Sequence, residues 1–114
     1  IIVNCISIRE AFAEKFRAAL TRRTVAIRDF FDIDYASRKL GMKLNADMIN
    51  LISKKLAMPG NARVDISDTR LDPLRKLVDT QLKAVLREND YREFDLDQSI
   101  GLVKEAAHRL EEQR

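Results

Sequence analysis

A scarcity of turn-forming residues constrains this chain more than any other feature of its sequence. The 114 residues include only three glycines and two prolines. Sandwiches and barrels of many strands need frequent turns built on these residues, so the composition argues against both. Apolar residues make up 46% of the chain, which is enough for a hydrophobic core, and the length suits one domain. We therefore predict a single all-α domain spanning residues 1–114.

Hydrophobic periodicity and capping residues divide the chain into about five helices. Ser7 stands three residues before Glu10, the spacing of a capping box, while Asn45 and Asp95 stand where N-caps are needed. Gly41 is suited to end the second helix. We expect a bundle or an orthogonal array. The predicted helices are 8–23, 25–40, 46–57, 73–88 and a last helix that begins after Asp95 and contains a seam of Leu96, Ile100, Val103, Ala107 and Leu110.

The segments outside these helices are less regular. Residues 1–6 suggest a short extended segment that lacks the features of a signal peptide. Because the chain starts within an apolar segment, we expect it to be a piece of a longer polypeptide. Residues 61–67 alternate apolar and polar side chains, which is typical of a weak strand or an extended linker. Asp72 followed by Pro73 predicts the start of the fourth helix, because proline suits the first helical position.

Positive charge is concentrated near the N-terminus. The whole chain carries a net charge of +3, whereas residues 1–28 hold six basic and two acidic residues, which leaves −1 for the remainder. A local positive field attracts phosphate, as a nucleotide or as nucleic acid. A helix face that is simply solvated would show the same composition, so both interpretations stay open.

The single cysteine and the short apolar runs bear on location. Cys5 excludes an intramolecular disulfide and fits a reducing cytoplasm, and we expect it to be a small core residue. No apolar run approaches the ~18 residues of a membrane span, so we expect a cytoplasmic protein with no membrane partner.

Lys15 falls inside the apolar face of the predicted first helix. A helical wheel places it near the middle of that face. A lysine there is costly unless its ammonium reaches water, a carboxylate or a phosphate. It is either a lysine that snorkels to solvent or a ligand-binding residue. The face consists of Ile8, Ala11, Phe12, Phe16 and Ala19.

Asp29 and Asp32 are three residues apart on the second helix and can approach one site. Asp29 lies at the border of the buried face, and Asp32 points further toward solvent, on the side of Arg28. With Lys15, the two carboxylates could orient a metal-bound triphosphate or form a structural ion-pair cluster. The residues that mark the buried face are Ile27, Phe30, Ile33 and Leu40.

The two helices together resemble a known family. An Ala13-Glu14-Lys15 helix that ends in Arg22-Arg23, followed by Arg28-Asp29-Phe30-Phe31-Asp32, resembles the downstream motifs of the AbiEii-type nucleotidyltransferase toxins over residues 7–36. The resemblance implies an enzyme of the polymerase-beta-like superfamily that acts in toxin–antitoxin control or abortive infection. Such an enzyme uses Mg²⁺ to move a nucleotide from a nucleoside triphosphate to an RNA or protein acceptor, and an antitoxin is a further expected partner.

The resemblance also implies roles for individual residues. Lys15 matches the lysine that helps to hold the triphosphate, and Asp29 and Asp32 match active-site aspartates. The nearby Arg22, Arg23 and Arg28 are then expected contacts of the nucleotide or the acceptor. These assignments come from the family pattern and not from the spacing alone.

Two departures from the family pattern shape the expectation. The upstream Gly-Ser motif and its paired metal-binding acidic residues are absent, so the chain resembles the C-terminal helical half of a longer nucleotidyltransferase, inactive by itself and without metal ligands of its own. Asp34 falls within the apolar stripe of the second helix, where we expect an ion pair with an arginine of a neighbouring helix. His108 is expected to be a surface residue.

Two further functions compete with the enzyme. A helical module could bind RNA or DNA through its basic first helix, or a scaffold could engage a protein partner with no site of its own. Nucleic-acid binding that weakens with salt would favour the first of these two, and its absence would favour the second.

Overall fold

The all-α prediction is confirmed in a computed structural model that describes residues 7–82, 86 and 88–113. These residues form helices and connecting segments and contain no strand. The extended segment predicted for residues 1–6, including Cys5, lies outside them. The helices are α1 (Ile8–Thr21), α2 (Ile27–Lys39), α3 (Ala46–Leu56), α4 (Asp68–Leu71), α5 (Pro73–Leu77), which continues as a π-helical segment (Val78–Leu82), α6 (Glu88–Glu93) and α7 (Leu96–Glu112).

Capping side chains begin α1, α3 and α7 where the sequence predicted, whereas α2 begins after Ala26 without a side-chain cap. Each cap accepts a hydrogen bond from an amide that has no partner inside the helix. Gly41 ends α2 with a φ of +68°, a conformation that glycine adopts without strain. The capping bonds are Glu10 N to Ser7 Oγ at 3.1 Å, Met48 N to Asn45 Oδ1 at 2.9 Å and Gln98 N to Asp95 Oδ1 at 3.0 Å.

Residues 61–67 form the linker, the second of the two predicted alternatives, and the Asp65 amide donates to the Leu20 carbonyl at the end of α1. The region after this linker differs from the prediction in two places. The short helix α4, capped by Ser67, was not predicted, because four residues show no periodicity. The predicted helix 73–88 begins at Pro73 but changes to π-helical geometry at Val78, and α6 is a separate element. The Thr80 hydroxyl donates to the Lys76 carbonyl at this change, a side-chain bond that competes with the helical pattern.

The core lies where α1, α2, α3 and α7 meet. Helix α1 packs against α2 and α3, and α7 packs across α2 with smaller contacts to α1 and α3. The rings of Phe12 and Phe16 meet edge to face with centroids 4.9 Å apart. The seam of α7 is buried or half-buried, as its spacing required. The largest fully buried side chains include Phe16, Phe30, Leu20, Ile27, Ile33, Ile49, Ile52, Leu74 and Val103.

The predicted buried faces of α1 and α2 are wrong at their outer ends. Ile8 is 61% exposed, Ala11 is exposed and Leu40 is 51% exposed. The wheel used the apolar residues of one helix alone, whereas α1 packs against three neighbours that also bury Ala13 and Leu20. The buried face is therefore rotated, and Lys15 lies at its border rather than near its middle.

Membrane insertion has no support among the helices that the structure describes. None of them combines the length and the apolar character that crossing a bilayer requires.

Candidate functional site

Lys15 of α1 lies between two carboxylates of α2. Its Nζ is 2.8 Å from Asp32 Oδ2 and 3.4 Å from Asp29 Oδ1. The helical spacing of three places both aspartates on the side of α2 that meets α1. The predicted approach of Lys15 to the two aspartates is confirmed, although the role of these residues is a separate question.

Two arginines extend this arrangement. Arg22 Nε lies 3.2 Å from Asp29 Oδ2, and Arg28 Nε lies 3.5 Å from Asp32 Oδ1. Arg22 directly follows the last residue of α1, and Arg28 is in the first turn of α2, so the α1–α2 connection brings them to one place. We call Lys15, Arg22, Arg28, Asp29 and Asp32 the Lys15 cluster. Its three cations and two anions leave a net charge of +1 that faces solvent.

Burial within the Lys15 cluster is graded. The Asp29 side chain is only 3% exposed, whereas those of Asp32 and Lys15 are 28% and 34% exposed. Asp29 also lies in the first turn of α2, where the helix dipole favours a negative charge. Asp29 is thus a buried anchor, and the Lys15 ammonium and the Asp32 carboxylate are the parts that a ligand can reach.

The protonation of Lys15 follows from these neighbours. Burial by itself would lower the pKa of Lys15, but the hydrogen bond and charge of Asp32, followed by those of Asp29, outweigh burial and raise the pKa above its usual value of 10.5. Lys15 is therefore a cation at neutral pH. It can hold an anion but is not available as a general base or an amine nucleophile.

Arg70 supports the cluster from α4, and neither a motif nor a periodic pattern indicated this role. Its guanidinium donates to the carbonyls of Ala19, Arg22 and Asp65 at 2.6–3.1 Å. Two of these carbonyls belong to the end of α1, where helices leave carbonyls without partners. Burial lowers the pKa of Arg70, and the charges of Asp65 and Asp29 oppose that shift in part. Arg70 fixes the backbone that carries Arg22.

A second positive surface adjoins the cluster, which we call the basic cavity. It has a volume of about 490 Å³. Arg17 is held in place there by Glu14 at 2.7 Å and by Asn61 Oδ1 at 2.9 Å. Arg23 is exposed and lines this cavity, while Arg22 belongs both to the cavity and to the Lys15 cluster. The lining residues include Arg17, Thr21, Arg22, Arg23, Gly60 and Asn61.

Asp34 has a partner other than the one expected. It is fully buried, and its Oδ2 lies 3.0 Å from an Arg38 nitrogen of the same helix and accepts a bond from the Asp95 amide at 3.3 Å. The prediction of an arginine from a neighbouring helix is wrong, because the i, i+4 spacing brings Arg38 over Asp34. Asp34 ties α2 to the start of α7. His108 is exposed, as predicted.

The described residues do not form a magnesium site. Among them, no group of three or more histidine, cysteine, aspartate or glutamate side chains is placed to hold a metal ion. Asp29 and Asp32 are already paired with Lys15, Arg22 and Arg28. Mg²⁺ is usually held by carboxylates together with substrate phosphates, so these two paired side chains do not fit the ion by themselves.

Comparison with protein families gives a match over nearly the whole chain. The family model described as nucleotidyl transferase AbiEii toxin, type IV toxin–antitoxin system, matches residues 1–110. That range contains the whole Lys15 cluster and extends well beyond the motifs of α1 and α2. Comparisons with curated proteins and with solved structures gave no match.

Proposed function

The chain belongs to the nucleotidyl transferase AbiEii toxin family of type IV toxin–antitoxin systems, and we propose that the Lys15 cluster is its part of the transferase active site. Membership supports a nucleotidyltransferase-type toxin in general. The roles of single residues and the identity of the substrates are the proposal, and the geometry of the cluster supports them.

The position of Lys15 is the observation that supports the proposal most directly. Its ammonium is held by two carboxylates and still has a third of its side chain exposed, so a charged donor is kept in place where an anion can approach. Phosphoryl-type transfer depends mainly on positioning and on charge stabilisation. We assign Lys15 to the phosphates of a nucleoside triphosphate.

Asp29 and Asp32 have different proposed roles. Asp29 is buried and holds Lys15 and Arg22, so it fixes the direction of both cations. Asp32 is more exposed, so its carboxylate can release Lys15 to the phosphates of the substrate. The double contact of Lys15 explains why two carboxylates stand at this spacing.

The arginines are the proposed contacts of phosphate and acceptor. Arg22 and Arg28 are exposed and border Lys15, where they can add charge to the binding of a triphosphate. Arg23 lines the basic cavity next to Arg22, which suits an acceptor, either RNA or protein. Membership of a toxin–antitoxin family supports an antitoxin as a further proposed partner. We propose the cytoplasm as the location.

We further propose that the chain is the C-terminal helical part of a longer nucleotidyltransferase. The support is chemical: the described residues offer Lys15 and two paired carboxylates but no group that fits Mg²⁺. When bound, the ion would help to neutralise the phosphates. Ligands from the remainder of the full-length protein would hold it, and the 114 residues by themselves would not transfer nucleotides.

The test is Mg²⁺-dependent transfer of a labelled nucleotide by the full-length protein. Lys15→Ala should lower the rate about a hundredfold or more, the usual loss when one charge-stabilising contact is removed. Lys54→Ala is the matched control, because Lys54 is an exposed lysine on α3 away from the cluster. An unchanged rate for Lys15→Ala would show that Lys15 only pairs with the aspartates of α2 and takes no part in transfer. Salt-dependent nucleic-acid binding without any transfer would favour the non-catalytic module.

A further inference from the structure

A groove between α1 and α2 runs away from the Lys15 cluster. It encloses about 250 Å³. Lys15 and Asp32 form its charged end, and the rest of its wall is apolar or aromatic. The residues that line it include Ile8, Phe12, Lys15, Asp32, Tyr35 and Leu40.

The apolar wall of this groove faces water. Ile8 is 61% exposed, Leu40 51% and Tyr35 37%. Several large apolar side chains that gather at one exposed place mark a binding surface more often than an accident of packing. The Tyr35 ring is supported by Phe31, at a centroid distance of 6.0 Å and an interplanar angle of 33°. Phe31 is itself buried, so the tyrosine has a firm base.

The polarity of the α1–α2 surface changes along its length. Arg22 and Asp29 stand at one end, Lys15 and Asp32 follow, and Tyr35 and Leu40 line the other end. A nucleoside triphosphate has the same arrangement, with anionic phosphates at one end and a flat base with π faces at the other. We propose that this groove binds the nucleobase of the nucleoside triphosphate, with Tyr35 as its stacking residue. The inference rests on the proposed function, because Lys15 must hold the phosphates.

The size of the groove favours a base over other occupants. Pockets that bury whole drug-sized ligands have volumes of about 300–1,000 Å³, so this groove suits one part of a nucleotide. The charged pair of Lys15 and Asp32 forms one end of the groove, which favours a ligand with an anionic end over the apolar face of a partner helix. A base placed here leaves its phosphates beside the Lys15 ammonium.

The experiment measures binding of two ligands to the full-length protein by calorimetry in the presence of Mg²⁺. The ligands are the nucleoside triphosphate that binds most tightly of the four common ones, and inorganic tripolyphosphate, which has no base. Tyr35→Ala should weaken the nucleotide about tenfold, the usual effect of losing a stacking partner, and leave tripolyphosphate unchanged. Tyr35→Phe should keep wild-type binding of both. Lys15→Ala should weaken both ligands.

The controls separate failure of the base site from failure of the proposed function. Val64→Ala removes an exposed apolar side chain elsewhere, in the 61–67 linker, and should change neither affinity. Leu40→Ser changes a second wall residue of the groove at an exposed position, so the variant should fold. It should likewise weaken binding of the nucleotide alone. If Tyr35→Ala and Leu40→Ser weaken neither ligand, or both ligands equally, the base site is refuted while phosphate binding by Lys15 stands. If the wild type binds neither ligand, the proposed function fails and the base site fails with it.

Discussion

Removing Lys15 should cost stability as well as activity, because a buried charge depends on it. Asp29 is 3% exposed, and Lys15 supplies its hydrogen bond at 3.4 Å. Breaking a buried pair typically costs about 3–5 kcal/mol when the remaining charge is left without a partner. Here Arg22 stays 3.2 Å from Asp29, and the start of α2 also favours the negative charge. We therefore expect Lys15→Ala to lower the free energy of unfolding by about 1–3 kcal/mol.

The assay is urea unfolding at neutral pH, followed by far-UV circular dichroism, for four proteins in a double-mutant cycle. Lys15→Ala leaves the buried Asp29 charge without its lysine partner, and Asp29→Asn removes that charge. The double variant should therefore recover most of the stability that Lys15→Ala loses. Lys54→Ala, the exposed control on α3, should stay within about 0.5 kcal/mol of the wild type. If Lys15→Ala is as stable as the wild type, or if the two changes simply add, Asp29 does not depend on Lys15 and the reasoning is wrong.

Two further predictions concern carboxylates outside the cluster. The hydrogen bond from Arg17 is the main reason that the pKa of Glu14 is below 4.5. A carboxyl with a lowered folded-state pKa stabilises the fold above its unfolded-state pKa and loses that contribution as the pH falls. Glu14→Gln should therefore flatten the decline in the free energy of unfolding below about pH 5. A decline identical to that of the wild type over this pH range would contradict the prediction. Asp34 is fully buried against Arg38. Asp34→Ala should therefore lower the free energy of unfolding, measured in urea, by about 3 kcal/mol. A decrease below about 1 kcal/mol would refute the role of Asp34 in tying α2 to α7.

Local signals in the sequence were enough to predict the helical frame. Ser7, Asn45 and Asp95 cap helices because each offers an oxygen to an amide within its own first turn, a contact that depends on three neighbouring residues only. Short elements gave no such signal, so α4 and α6 were missed. The rotation of the α1 face was missed as well, since it depends on the packing of α3 and α7 against α1.

The site was predictable where it depends on helical spacing and not where it depends on tertiary contacts. The spacing of Asp29 and Asp32, together with the position of Lys15, indicated that the three side chains meet. The depth at which Asp29 is buried was not visible in one helix. Arg70 reaches the end of α1 from about 50 residues away in sequence, through an element that periodicity could not detect. The exposed groove beside Tyr35 follows from the same rotation of α1.

The most direct test of the account compares transfer and stability in Asp32→Asn of the full-length protein. Asp32 is 28% exposed, and Lys15 keeps Asp29 as a partner, so unfolding should change by about 1 kcal/mol or less. If the Lys15 cluster is a transfer site, the rate of Mg²⁺-dependent nucleotide transfer should still fall by about a hundredfold. A rate close to that of the wild type, measured on this folded variant, would show that the cluster only holds α1 to α2.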